Sequence, residues 1–396
     1  MMQKQNLKKL AFRFVLTLGI VNLFADLTYE GGRSITGPFL GSLGANAVVV
    51  GFVAGFGELV GYGLRSLSGY IADKTHKYWL VIIFGYLINM LAVPALALAG
   101  SWPLAAALIV LERTGRAIRK PAGQALLSHA GKTLGHGWVF GLNEALDQTG
   151  ATLGPLIAAL ILYLHRGYHQ AFAVLLIPAL LCIATVMLTR FLYPRPQELE
   201  ERRPQPLETS GFSRTYWLFV LAGALIAAGF ADFSLIAFHF QKTGTVSPEM
   251  VPVLYAIAMA TGAFCSLLFG WLLDKTGFPI LLVAFFLSAL FAPCVFLGGF
   301  GFAVLGMVLW GLGLGVQDSL LKAVLSGVVP AARRGAGFGV FDTSFGIAWF
   351  AGSAALGLLY QKSMSGLVLF SVVLQLAALP VLVLAHRSAR RCPENY

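Results

Sequence analysis

Acidic and basic side chains recur at helical spacing inside long apolar stretches of this chain, and that placement sets the chemistry. Asp26, Glu30 and Arg33 follow one another at i, i+4 and i+7, so they share one face of a helix. Glu58 and Arg65 stand seven residues apart, and Glu144 and Asp147 three apart. The segment ERTGRAIRKPAGQ adds Glu112, Arg113, Arg116, Arg119, Lys120 and Pro121. Burial favours the neutral form of a carboxyl group, and a nearby arginine favours the ionised one. A carboxylate beside a movable arginine therefore takes and releases a proton as the pair opens and closes. Asp26, Glu30 and Glu58 are the leading candidates for that task, with Arg113 as the expected partner; Glu144 and Asp147 come next. Arg33, Arg113 and Arg116 are candidates for holding substrate or balancing charge. The competing reading of the group is a permanent ion-pair network that locks helices in register. In the second half the charges thin to Asp232, Asp318, Lys322 and Asp342, with His239 and Gln317 nearby. Asp318 and Lys322, four apart, are expected to satisfy each other.

The remaining reactive residues point away from catalysis. Cys182, Cys265, Cys294 and Cys392 lie far apart, with neither metal-ligand nor disulfide spacing, and read as packing thiols. His129, His136, His165 and His169 fall in or near connections and read as interfacial. Paired-histidine ligands, a phosphate-binding loop and a nucleophile elbow are all missing from the sequence, so no enzyme, metal or cofactor is expected.

The elements that position these charges are set by composition. Of 396 residues, 58% are hydrophobic and 11% charged, with mean hydropathy +0.78. Soluble domains carry roughly 25% charged residues, and about 20 apolar residues cross a bilayer. The hydropathy pattern predicts an all-α membrane protein of twelve transmembrane helices. The first six spans fall at about 12–38, 45–71, 79–100, 103–128, 138–164 and 168–193. The second six fall at about 215–241, 250–273, 278–300, 302–328, 338–361 and 365–386. Residues 1–193 and 215–396 thus form two six-helix bundles, joined by the proline- and charge-rich segment 194–214, a solvated linker. Forty-five glycines suit close helix packing in lipid. Counted from Pro103, Arg113 stands about 15 Å along its span, near the bilayer centre. An arginine there costs roughly 2.5–3.5 kcal/mol, so Arg113 must face protein or a wet cavity. Arg119 and Lys120 stand further along, where they are expected to approach cytoplasmic water.

The net charge of +11 does not mark a nucleic-acid binder, because the basic residues sit at the ends of alternate spans. With both termini inside, 17 lysines and arginines lie in cytoplasmic segments and only Arg166, Lys242 and Lys362 in outer ones. That bias places both termini in the cytoplasm of an inner-membrane protein. The basic, then apolar, start has no small-residue cleavage site and reads as a retained first helix.

The two halves repeat each other. Gly69–Thr75 (GYIADKT) matches Gly270–Thr276 (GWLLDKT) at an offset of 201, and Phe24–Thr28 matches Phe230–Ser234 at 206. Ala125–Ser128 matches Ala323–Ser326 at 198; at that offset Glu144 falls on Asp342 and Gly154 on Gly352. Ordered matches with small offset changes indicate a duplicated six-helix unit.

With these motifs the chain resembles the major facilitator superfamily. The family's loop between the second and third helices, G-x-L-x-D-x-x-G-R-K, stands here as Gly69 to Lys77, with His76 in place of a glycine. Its counterpart runs from Gly270 through Asp274 to Gly277 without the following basic pair. The resemblance implies a cytoplasmic gate at Gly69, Asp73, Gly270 and Asp274; the alternative is a solvated turn. On the fifth span Gly141, Gly150, Gly154 and Pro155 are similar to the motif of proton-coupled antiporters, with Ala158 and Ala159 replacing its last glycines. Asp232 matches Asp26 on a span that lines the central cavity in the family, so it joins the substrate or charge-partner candidates.

The resemblance implies the major facilitator fold, two pseudo-symmetric bundles that rock around a central site. The expected protein is a proton-coupled antiporter exporting a small organic solute. It works in the lipid bilayer as a monomer, with the proton gradient in place of a cofactor. The rival is a symporter or facilitator for uptake of an anionic solute, bound by the fourth-span arginines.

Overall fold

The computed structural model describes residues 2–75, 77–134, 136–194, 212–317, 321 and 334–391. Among the described residues the regular structure is helical, with no strands. The first half runs α1 (Met2–Ser42), α2 (Ala47–Thr75), α3 (Tyr78–Ala95), α4 (Trp102–Leu134), α5 (His136–Tyr163), α6 (Gly167–Val174) and α7 (Leu176–Leu192). The second runs α8 (Arg214–Gly229), α9 (Phe233–Thr243), α10 (Met250–Thr276), α11 (Pro279–Ala289), α12 (Phe291–Leu297) and α13 (Phe300–Val316). It ends with α14 (Arg334–Lys362) and α15 (Met364–Arg391). Among the described residues, ten segments are long and apolar enough to cross a bilayer. The short α13 and the charged α4 complete the two sets of six. The linker 195–211 and the pair Asp318 and Lys322 lie outside the described residues.

Among the described residues, three expected continuous spans are interrupted. The sixth steps at Leu175, the ninth at Leu290, and the seventh opens fully between Gly229 and Phe233. Phe230 and Asp232 are extended there, and the Asp232 carboxylate accepts the Ser234 amide at 2.8 Å as the cap of α9. A break inside lipid needs new partners for its carbonyl groups. Ser371 Oγ donates to the Gly229 carbonyl at 2.6 Å, and Trp310 Nε1 to the Ala231 carbonyl at 2.9 Å. At the far end Gly244, with φ +66°, closes α9 in a conformation that glycine adopts without strain.

The helices group into two compact units, Met1–Ile35 with Gly63–Pro204, and Thr36–Tyr62 with Gln205–Tyr396. This grouping follows a different line from the chain order, because residues 36–62 belong with the second unit.

In the first unit, glycines decide which backbones meet. Gly85 on α3 and Gly115 on α4 face each other, and a side chain on either would strike the partner's backbone. Gly150 and Gly154 on α5 do the same against the Leu23 and Leu27 carbonyl oxygens of α1. Close backbones add dispersion contacts where lipid removes the hydrophobic drive for association. Phe14, Leu18, Ile82, Met90, Leu126 and Val186 fill one end of this unit.

The second unit has an aromatic core. Phe230 stacks on Trp310 with centroids 5.4 Å apart, and Phe233 lies 4.2 Å from Tyr255. Gly262, Gly311 and Gly315 hold α10 against α13. Residues 36–62 dock on this unit through a second glycine seam. Gly37 meets the Ser234 carbonyl of α9, Gly51 and Gly55 meet Ser353 and Phe350 of α14, and Gly346 meets Tyr62. Phe52, Phe56 and Phe350 close its edge, with centroids 5.2–6.0 Å apart.

The duplication also appears as one hydrogen bond made twice. Ser68 Oγ donates to the Ala117 carbonyl at 2.8 Å, and Ser266 Oγ to the Gly315 carbonyl at 3.0 Å. Both members of the second pair stand 198 residues after those of the first.

Candidate functional site

The first unit holds a continuous polar network, carried by α1, α3, α4 and α5. Asn22, Asp26, Tyr29 and Arg33 form one stripe of α1 at i, i+4, i+7 and i+11. Tyr86 and Asn89, three apart, face it from α3, and Glu112, Arg113, Arg116 and Arg119 from α4. The Gly85–Gly115 contact brings the two polar faces of α3 and α4 within reach of each other.

The chain of bonds starts at α5. Asn22 Nδ2 donates to Asn143 Oδ1 at 2.7 Å, and the Tyr86 hydroxyl donates to Asn22 Oδ1 at 2.6 Å. Arg119 Nη1 donates to the Tyr86 oxygen at 3.1 Å, and its Nε to Asn89 Oδ1 at 3.2 Å. Asn89 Nδ2 in turn donates to Glu112 Oε1 at 2.6 Å. Satisfied in this way, buried polar groups fix a single arrangement of the four helices.

Ion pairs hang on this frame. Arg119 Nη2 lies 3.8 Å from Asp26 Oδ1, Arg116 Nη2 lies 4.0 Å from Glu30 Oε1, and Arg113 Nε lies 3.5 Å from Glu112 Oε2. Tyr29 is the second organising ring. The Arg116 and Arg113 guanidinium carbons stand 4.0 and 5.0 Å from its centroid, and Arg33 Nη1 donates to its hydroxyl at 3.4 Å. Arg119 covers the Tyr86 ring at 4.5 Å.

Of the candidates read from the sequence, Asp26, Glu30, Arg113 and Arg116 therefore come together, with Arg33 at the edge. The expected pairing differs in its partner: Asp26 faces Arg119, Glu30 faces Arg116, and Arg113 neighbours Glu112. Arg119, expected near cytoplasmic water, is 7% exposed and held between Tyr86 and Asn89. Its ring contact and two neutral acceptors make the buried position tolerable for a guanidinium. Asp147 lies on α5 with its Oδ1 buried and making no hydrogen bond among the described residues. Glu144 is exposed and accepts from Gln148 at 2.9 Å. Glu58 is buried on the part of α2 that belongs to the second unit.

Elsewhere Asp232 caps α9, and His239 Nδ1 is 3.0 Å from the Tyr360 hydroxyl. Gly150 and Gly154 pack α5 on α1, with Pro155 inside the same helix. Gly141 also lies on α5. The expected loop motif closes the ends of α2 and α10 instead: a Cβ added at Gly69 would stand in ordinary contact with Pro121, whereas one added at Gly270 would meet nothing within 4 Å among the described residues. The Asp73 and Asp274 side chains lie outside the described residues.

Asn22, Tyr29, Tyr86, Asn89 and Asn143 are members of the site that the sequence does not single out, and Arg119 is one that it places near water rather than in the network. Part of their signal is in the sequence, since Asn22 and Tyr29 share the helical stripe of Asp26 and Arg33, and Tyr86 and Asn89 stand three apart on α3. At the offset of 198, Glu112, Arg113, Arg116 and Arg119 fall on Trp310, Gly311, Leu314 and Gln317. The same fold thus supports a charged network in one half and an aromatic core in the other.

A family model described as the Major Facilitator Superfamily matches residues 20–390. An uncharacterized protein of Mycobacterium tuberculosis is 39% identical over 389 residues, covering 97% of this chain and 95% of that one. An uncharacterized MFS-type transporter of Methanocaldococcus jannaschii is 27% identical over 379 residues, covering 91% and 92%. Among solved structures, a POT family transporter in complex with 5-aminolevulinic acid shares the fold with TM-score 0.76 at 13% identity, covering 96% of each chain. The helices, the duplicated halves and the family match agree: the chain belongs to the Major Facilitator Superfamily and is a multi-pass membrane transporter rather than an enzyme.

Proposed function

We propose that the protein is a proton-coupled secondary transporter that moves a small organic solute by alternating access, working as an antiporter that exports it. The observation that carries this reading is the pairing of Asp26 with Arg119 and of Glu30 with Arg116 between two transmembrane helices. At 3.8 and 4.0 Å these pairs are close enough for each charge to set its neighbour's protonation, yet longer than the roughly 2.7–2.9 Å of a charge-assisted hydrogen bond. A small shift of α4 against α1 changes that balance and releases or takes up a proton. Asp147, with its Oδ1 buried, supplies a second carboxyl group on α5. The close α1–α5 crossing at Gly150 and Gly154 ties that helix to the α1 segment carrying Asp26, and it is the resemblance of Gly141, Gly150, Gly154 and Pro155 to the antiporter motif that favours antiport.

Residues 1–193 and 215–396 act as the rocking halves, joined by the 194–214 linker. The ends of α2 and α10, carrying Gly69 and Asp73 and Gly270 and Asp274, serve as the cytoplasmic gate. The protein works as a monomer in the inner membrane, binds a small molecule and no nucleic acid, and draws on the proton gradient with no cofactor. The second reading, symport or facilitated uptake of an anionic solute, is favoured by the arginines gathered at Tyr29.

The coupling is tested in proteoliposomes by comparing pH-driven accumulation with counterflow, over a small panel of solutes. Asp26→Asn is expected to abolish accumulation while sparing counterflow, which needs no net proton movement. Glu30→Gln, Glu58→Gln and Asp147→Asn identify any carboxylate that shares the task. Full pH-driven accumulation in all four variants would remove proton coupling from this network.

Orientation rests on the 17-to-3 distribution of basic residues. Reporter fusions after Arg203 and at the C-terminus are both expected to report cytoplasm. An outer signal from either one contradicts the arrangement.

A further inference from the structure

We infer that the second unit carries a binding site for an uncharged, planar heteroaromatic ring with an amide-type edge, formed by Gln317 and Trp349 with the rings of Phe230 and Phe345. The inference deepens the transport reading and rests on it for the opening that admits the solute, but it is independent of direction and of coupling.

Two polar side chains of this unit are buried without a partner. Gln317, at the end of α13, is 4% exposed, and neither its Nε2 nor its Oε1 makes a hydrogen bond among the described residues. The amide lacks a partner whichever way it is turned. Trp349 on α14 is 3% exposed, and its Nε1, which can only donate, likewise has no acceptor among the described residues. Trp310 shows the contrast. It too stacks on Phe230, but its Nε1 reaches the Ala231 carbonyl at 2.9 Å. Folded proteins leave few buried donors and acceptors unpaired, because each has given up its hydration for nothing.

Packing brings these two groups to one place. Phe230 touches α14 and α13 at once: its centroid is 5.6 Å from that of Trp349, and a Cβ on Gly313 would lie 2.9 Å from its ring. At a second level, a Cβ on Gly223 of α8 would meet both Phe341 of α14 and Leu321. Gln317 lies between Gly313 and Leu321 in the chain, and its backbone N–H closes a helical turn onto the Gly313 carbonyl. It therefore shares the Gly313 face and stands level with Phe345, which lies between Phe341 and Trp349. The Phe345 centroid is 5.9 Å from that of Phe341 and 5.8 Å from that of Trp349. The Ser288 hydroxyl of α11, also without a partner among the described residues, lies beside Gly313.

The chemistry of these groups selects the ligand. The carboxamide offers donors beside an acceptor, and the indole adds one more donor. An amide or lactam edge pairs with the first, and a carbonyl or ring nitrogen accepts from the second. Phe230, Phe345 and Trp349 supply rings against which a planar unsaturated ring packs. A water molecule is a poorer occupant, since it needs roughly two to four polar partners and this face is lined by Gly313, Phe230 and Phe345. None of the three unpaired groups is charged. At the offset of 198, Gln317 and Phe345 stand where the first half has Arg119 and Asp147. The duplicated fold thus sets an uncharged, ring-lined site at the position that carries ion pairs in the other half.

The test measures binding, so that it stands apart from flux. Purified protein in phosphatidylcholine nanodiscs is dialysed against labelled adenine, nicotinamide and uracil, with glucose as the ringless control and protein-free discs as the blank. Saturable binding of at least one ring compound and none of glucose is expected. Trp349→Phe, which keeps a ring and removes the donor, should weaken it about five- to tenfold, and Gln317→Leu about ten- to hundredfold. Both variants should keep or exceed the wild-type melting temperature, because each removes a buried group that the fold itself does not pair. No saturable binding of any ring compound, or unchanged binding in both Gln317→Leu and Trp349→Phe, would overturn the inference. A fall of several degrees in both variants would overturn it too, since it would give the two groups a structural role. Ring binding without flux in proteoliposomes leaves this inference standing and removes the transport reading. Flux of glucose or another ringless solute, in a protein that binds none of the ring compounds, does the reverse.

Discussion

A disulfide between Gly55→Cys and Ser353→Cys is expected to stop transport completely and reversibly. A Cβ on Gly55 would lie 2.8 Å from the Ser353 Cβ, closer than the roughly 3.5–4.5 Å that a disulfide spans, so only a slight separation is needed. The bond would close the seam where residues 36–62 dock on α14, beside Gly51, Gly357 and the Phe52–Phe56–Phe350 cluster. Alternating access requires some such seam to part in every cycle. Its glycine lining suits that role, since smooth backbones separate and re-form without side chains that interlock. Oxidation of the double variant should abolish both net flux and counterflow, and reductant should restore them. Each single variant under oxidant controls for the native cysteines. Undiminished flux in a fully cross-linked sample would show that this seam stays shut throughout the cycle, and the opening would have to be sought elsewhere.

Removing Arg119 is expected to be the most damaging single change in the first unit. The side chain donates to Tyr86 and Asn89, faces Asp26 and is 7% exposed. Arg119→Leu leaves a carboxylate and two acceptors without their cation in a nearly dry site. Breaking a buried pair in this way costs about 3–5 kcal/mol. Thermal unfolding in detergent should fall by several degrees, with a matching loss of monodisperse protein. Asp26→Asn in the Arg119→Leu background should recover part of the loss, because it removes the stranded charge. The double-mutant cycle then measures the coupling directly. A wild-type melting temperature for Arg119→Leu would mean that Asp26 and Asn89 find other partners and that the network is not structural.

Much of this protein was settled by the order of its residues. Long apolar segments with glycine and few charges have only one economical solvent, so the membrane, the all-helical class and the set of twelve spans were readable from hydropathy. The repeat was readable too, because matched segments such as GYIADKT and GWLLDKT kept their spacing. The Ser68–Ala117 and Ser266–Gly315 bonds are its structural counterpart. Helical spacing also placed Asp26, Glu30 and Arg33 on one face, since that relation lies within a single helix.

What the sequence left open were relations between helices. Arg113 and Arg119 are both arginines on α4, and no periodicity says which of them meets Asp26. The choice falls to Arg119 because Gly85 and Gly115 bring α3 against α4 and set Tyr86 and Asn89 beside it. The breaks in the sixth, seventh and ninth spans were hidden for a related reason. An interrupted helix is stable in lipid only when distant groups satisfy its carbonyls, and at the seventh those groups, Ser371 and Trp310, come from α15 and α13. The grouping of residues 36–62 with the second unit likewise depends on Gly51 and Gly55 meeting Ser353 and Phe350, some 300 residues away in the chain. Local order fixes what each helix offers on its faces; packing alone decides which faces meet.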